Sequence, residues 1–140
     1  MDTSDVVTEL HELDCWELLR AQEFGRLAFH LVGEVHIVPI NYAVMGEKLV
    51  FRTAEGSKLL GITMNHDVAF EIDEYDENRA SSVIVRGTAR RLEGDEADAA
   101  EELPLYSWVP TDKLSLVVIE PVEVTGRSFR LDRTRRPQTA

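Results

Sequence analysis

From Arg26 onward, hydrophobic and polar positions alternate in short runs punctuated by turn residues. Arg26-Leu27-Ala28-Phe29-His30-Leu31 has the period of two that places successive side chains on opposite faces of a strand. Val32-Gly33-Glu34 reads as a tight turn, and Val35 to Val44 as the next strand. Met45-Gly46-Glu47-Lys48 turns the chain again, into Leu49-Val50-Phe51-Arg52-Thr53. Asp67 to Asp73 and Ser82 to Arg90 are two further strands, separated by an acidic loop through Glu74, Asp76 and Glu77. Leu114 to Pro121 and Val122 to Arg127 supply the last strand material. Short connections between such runs predict hairpins. About six strands with few helices predict a mainly β protein, a closed antiparallel barrel flanked by short helices.

Three segments carry a helical period instead. In Leu13 to Gln22, Trp16, Leu19 and Arg20 share one side. Asp14 is the predicted N-cap, Glu17 then falls at the capping-box position, and Gly25 is expected to end the helix. Ser57 to Met64 predicts a short helix, and the acidic, alanine-rich stretch from Glu93 to Leu103 a wet surface helix. Residues 1–8 have little core-forming character and read as a loose lead-in. Arg130, Arg133, Arg135 and Arg136 mark a basic tail, so the expected organisation is one domain with a core over about 10–128 and a tail over 129–140.

Composition narrows the function. The 140 residues suit one domain, and 44% hydrophobic residues suffice for one core. A net charge of −11 argues against nucleic acid or anionic lipid as a partner, yet leaves room for a phosphate, which needs only a local cluster of donors. No apolar run approaches the roughly 20 residues of a membrane span, and the acidic start lacks the order of a signal peptide, so the expected location is cytoplasmic. Cys15 is the single cysteine; with acids on both sides, it reads as structural. His11, His30, His36 and His66 lack metal-site spacing, so no metal is expected; His36 leads into the Pro39 segment, toward a possible ligand cleft.

Two features carry candidate chemistry. Pro39 cannot donate to a ladder, so its strand has an edge, an end or a bulge at that point, where backbone groups are left for something else. Arg52-Thr53-Ala54-Glu55-Gly56-Ser57-Lys58 runs from a strand through a glycine turn into a helix. A guanidinium, hydroxyls, an ammonium and a helix N-terminus in that order suit a phosphate. Taken alone, the same residues also fit a strand end, an N-cap serine and two solvated cations.

The chain resembles the pyridoxamine 5′-phosphate oxidase-like, flavin-binding split-barrel superfamily. The resemblance lies in an ordered set: Trp16-Glu17-Leu18-Leu19, Phe24-Gly25-Arg26-Leu27-Ala28, Val38-Pro39-Ile40-Asn41-Tyr42, Phe51-Arg52-Thr53 with Gly56-Ser57-Lys58, Val68 to Asp73, Ser82 to Ala89, and Thr125-Gly126-Arg127. It is most similar to the small branch that includes nitroimidazole-reductase-like proteins. The resemblance implies a Greek-key split barrel and FMN as cofactor, with relatives that use a 5-deazaflavin or heme as the alternatives. It implies phosphate contacts from Arg52, Thr53, Ser57 and Lys58. It also places Pro39, Ile40, Asn41 and Tyr42 along the isoalloxazine edge and Ser82 near the phosphate or ribityl chain. The family is dimeric with flavin at the subunit interface, and Trp108 is the aromatic expected to cover the ring from a partner. Relatives often carry a tryptophan before the Ser82 position, where this chain has Ser81. The implied activity is an FMN-dependent oxidoreductase that passes electrons or hydride to a small acceptor; the alternative is a flavin-binding or sensing module without turnover. Residues for the pyridoxal-phosphate substrate of the true oxidase have no match.

Overall fold

The computed structural model describes residues 6–54, 56–105 and 114–132. The elements run β1 (Val7–Glu9), α1 (Glu12–Ala21), β2 (Phe24–Leu31), β3 (Glu34–Asn41), β4 (Ala43–Met45), β5 (Lys48–Ala54), α2 (Ser57–Met64), β6 (Asp67–Tyr75), β7 (Arg79–Arg91), α3 (Gly94–Ala100) and β8 (Leu114–Arg130). Every ladder is antiparallel, in the order β3-β2-β6-β7-β8-β5-β4, with β1 added to the end of β8. β5 lies beside β8, while β6, β7 and β8 follow one another, which is the Greek-key arrangement. The sheet curls until β3 and β5 approach each other without pairing, and this gap is the split in the barrel.

Eight strands form, where the alternation predicts about six. β1 and β4 have three residues each, too few to show a period. β1 also recruits Val7 and Thr8 from the expected lead-in and, with Glu9, pairs them with Arg127–Phe129. The run from Val35 to Val44 breaks at Tyr42, whose backbone N–H donates to Glu23 O at 2.9 Å. The two last segments are one 17-residue strand, continued to Arg130. Its register shifts where Gly87 pairs with Pro121 and Arg86 with Glu123. Val122 is skipped and stands 79% exposed.

Two expectations for α1 are corrected. The N-cap is His11 and makes no side-chain cap, so Asp14 and Glu12 lie inside the first turn, where their charge suits the positive end of the helix. The helix ends at Ala21 with an extended C-cap at Gln22. Gly25 belongs to β2 instead; a Cβ there would meet the Phe70 ring, Glu71 O and Ile72 Cγ2.

Burial divides the sheet into two faces. The inner face holds the main core, including Leu27, Phe29, Phe51, Phe70, Val83, Val85, Val117 and Ile119, together with Cys15, Trp16 and Leu19 of α1. The outer face near β5 and the start of β8 carries a second cluster: Val50, Leu116 and Val118 with Leu92, Ala100 and Leu105 in and around α3. Among the described residues no helix is long and apolar enough to cross a membrane.

Candidate functional site

β3, which carries the Pro39 segment, comes near β5, which leads into the Arg52–Lys58 segment. β5 ends at Ala54, and α2 starts two residues after Glu55 with Gly56 as its N-cap. Leu60 N donates to Gly56 O at 3.0 Å, so the helical ladder begins at Leu60 and the amides before it point out of the N-terminus. Lys58 in this first turn is half-buried, with Nζ 5.7 Å from the centroid of the Phe51 ring. Burial pushes its ammonium below the ordinary pKa, and none of the ion pairs among the described residues involves it. Such a cation at a helix N-terminus, over an aromatic face, suits an anion.

Strand parity decides which of the other predicted residues share that point. Phe51 and Thr53 face inward and are buried, with Thr53 opposite Ser115. Thr53 Oγ1 donates to Ala54 O at 3.1 Å. Arg52 faces the other way, with Val50 and Leu116, and forks onto Glu101: Nη2 to Oε2 at 2.6 Å and Nη1 to Oε1 at 3.2 Å. Lys58 and Arg52 therefore lie on opposite faces of β5 and do not converge. Ser57 is the first residue of α2.

β3 is an edge strand, and no described strand pairs with its other side. Proline is tolerated there for that reason. Pro39 is exposed and opposite Arg26, Ile40 is a core residue, and Asn41 is opposite Phe24. Tyr42 sits just past the strand end with its side chain in the core. Its hydroxyl donates to Leu19 O at 2.7 Å, its ring meets Phe70 edge-on at 4.8 Å, and burial pushes its phenol well up. His36 stacks on Phe29 at 5.4 Å, and the Phe29 ring in turn lies against Gly61 of α2.

Ser82 lies far from this corner. It is opposite Arg127 on β8, whereas Arg52 is opposite Leu116, eleven residues earlier on the same strand. That is roughly 36 Å of strand. Ser82 and Arg52 thus pair toward opposite ends of β8. Ser81, one residue before, faces inward with its Oγ 3.4 Å from Ser128 Oγ. Trp108 lies outside the described residues.

Two residues escaped the sequence reading. Phe51 was part of a strand, with nothing to mark it as the platform under Lys58. Glu101 was one acid among several on a wet helix; its signal is register, since α3 brings Glu96 to Arg90 at 2.8 Å as it brings Glu101 to Arg52.

Comparison with known proteins agrees with this architecture. The pyridoxamine 5′-phosphate oxidase family matches residues 11–128. The crystal structure of a putative pyridoxamine 5′-phosphate oxidase from Corynebacterium glutamicum superposes with a TM-score of 0.84 at 40% identity, covering 95% of this chain and 98% of that one. The FAD binding protein from Mycobacterium smegmatis gives 0.78 at 36%, covering 89% of this chain and 100% of that one. An uncharacterized protein of Mycobacterium tuberculosis H37Rv is 42% identical over 91 residues, 62% of this chain and 80% of its own length. The overall fold is thus held in common with solved structures of clear sequence identity, and the chain belongs to the pyridoxamine 5′-phosphate oxidase family.

Proposed function

We propose that the protein binds a phosphate-bearing flavin, FMN in the first instance, and works as an oxidoreductase toward a small acceptor. The observation that carries this is Lys58: a half-buried ammonium at the N-terminus of α2, without a carboxylate partner among the described residues, beside the gap in the barrel. The residues fit the group. The first-turn amides and Lys58 suit the phosphate, and the edge of β3 at Pro39-Ile40-Asn41 offers backbone to the ring. A bound flavin supplies the redox chemistry, while the protein supplies binding, orientation and electrostatics. The FAD-binding relative widens the ligand class to FAD, which presents phosphate at the same place along the flavin.

The same reading calls for a homodimer. Ser82, paired with Arg127 toward the other end of β8 from the partner of Arg52, would then reach a flavin held by Lys58 from a second copy. The outer face of β3, β2 and β6 supports such a contact. Val35 and Ile37 stand 68% exposed there, beside the small side chains Ala28 and Ala69. A cavity of about 450 Å³ crosses this face, lined in part by His30, Val35, Ala69, Arg86 and Val122.

The test is titration of the purified protein with FMN, FAD and riboflavin, followed by flavin fluorescence and the visible spectrum. Micromolar or tighter binding of FMN or FAD is expected. Lys58→Ala should weaken FMN by tenfold or more, since losing a charged hydrogen-bond partner costs about 1.5–3 kcal/mol, and leave riboflavin within threefold. No flavin binding by the wild type would sink the reading. Tight binding without reduction by NADH or NADPH would favour the module without turnover.

A further inference from the structure

Arg52 stands out because its fork is already filled. The Arg52 side chain is 18% exposed and its guanidinium takes both oxygens of Glu101, the residue that closes α3 with its N–H on Ala97 O. Around the pair lies the second cluster, in which Val50 and Leu116 on the sheet meet Ala100 and Leu105. Arg90 holds the other end of the helix through Glu96 and ties back to Glu120 at 2.5 Å. Two arginines on one face of the sheet thus pin both ends of a seven-residue helix that is too short to be stable alone. The chain leaves α3 through Pro104, which walls a cavity of about 570 Å³ together with Leu19, Gln22, Tyr42 and Val44. That cavity adjoins the end of β3.

We infer that Arg52 is a positioning residue: it anchors α3 through Glu101 and thereby sets the Pro104 wall beside the end of β3, while the phosphate is left to Lys58 and the first-turn amides of α2. The inference rests on the flavin reading for its ligand readout, though not for its stability readout. A wall beside the end of β3 acts on the ring end of the ligand. Loss of the anchor therefore weakens FMN and riboflavin alike, unlike loss of Lys58.

The experiment compares Arg52→Glu, Glu101→Arg and the double charge swap, with Glu101→Gln as a milder variant. Each is measured for Tm and for FMN and riboflavin affinity. The single reversals should lower Tm and weaken both ligands by similar factors, and the swap should recover Tm and bring both affinities within about threefold of wild type. A swap that regains riboflavin but stays tenfold or more deficient in FMN would make Arg52 a phosphate ligand and overturn the inference. Glu101→Gln decides the matter if the swap fails to fold. Weaker binding of both ligands supports the anchor, whereas tighter FMN with unchanged riboflavin shows Glu101 competing with phosphate and overturns it. If wild type binds no flavin, the functional reading falls by itself. The Tm cycle then still decides the anchor, since additive losses in the two singles and the swap would overturn it.

Discussion

A lysine that loses water without gaining a carboxylate is less easily kept charged. For Lys58 this means a folded pKa below the ordinary 10.5, caused by burial. The unfolded chain holds the proton more tightly, so the apoprotein gains stability as pH rises between the lowered value and 10.5. A bound phosphate reverses the preference, because it favours the charged amine. The preference for FMN over riboflavin should therefore be full at neutral pH. It should fall on the alkaline side, at a lower pH than a solvated lysine would give. Parallel titrations of both ligands from pH 7 to 10 read this directly. Lys58→Arg should flatten the profile, since guanidinium keeps its proton throughout that range. A ratio independent of pH in the wild type would remove Lys58 from the phosphate site. Cys15 gives no comparable handle: it is buried, and desolvation with Asp14 and Glu12 raises its pKa, which keeps the thiol protonated and unreactive.

Among the elements, the β2–β3 hairpin and the β7–β8 bulge each expose one residue choice to test. The hairpin turns through Val32 at φ 49° and Gly33 at φ 77°, with Leu31 paired to Glu34. Both central residues in the left-handed region define the tight turn that favours Asn-Gly. Val32 is β-branched and 80% exposed, so it bears strain without repaying it in packing. Val32→Asn should stabilise by about 0.5–1 kcal/mol, by analogy with other turn corrections, seen as a rise in the urea midpoint with an unchanged slope. At the bulge, a Cβ on Gly87 would run into the carbonyl of Glu120, and backbone cannot swing aside. Gly87→Ala should destabilise by about 3 kcal/mol or more, lowering the same midpoint. These two sites also mark what was legible in the sequence. The turn was legible because glycine between two alternating runs has one simple meaning. The bulge was not, because Pro121 ended one run and Val122 began another, and nothing local says that a strand continues across a proline by skipping a residue. Parity had the same limit at the site. The order Arg52 to Lys58 suits a phosphate, while the face each side chain takes depends on what covers the sheet, and α3 covers the side that Arg52 occupies.

For the whole molecule, the length of β8 sets the argument. A single chain keeps Lys58 and Ser82 at opposite ends of a strand whose contacts at Leu116 and Arg127 are eleven residues apart. In the proposed homodimer, a two-fold axis across the outer face of the sheet would bring the far corner of one copy toward the near corner of the other, each pairing occurring twice. That face is suited to it, with Val35, Ile37 and Val122 exposed and a polar centre in which Arg26 bridges Glu71 and Asp73. Burial holds the Glu71 carboxyl above its ordinary range against the pull of Arg26. Further burial in a dimer adds to that cost and makes the arginine fork necessary. The double variant Val35→Lys, Ile37→Lys should separate the copies, because four ammonium groups then face one interface. Both side chains are already 68% exposed in the single chain, so the monomer fold should lose little. Sedimentation should report a change from twice 15.8 kDa to 15.8 kDa. If the site is shared as proposed, FMN affinity should fall tenfold or more at the same time, since the partner's contribution would leave with it. Leu13→Lys on α1, 82% exposed and away from this face, should change neither quantity. A wild type that sediments as a monomer yet binds FMN tightly would take the partner's Ser82 out of the site, and would leave the flavin to β3, β5 and α2 of one chain.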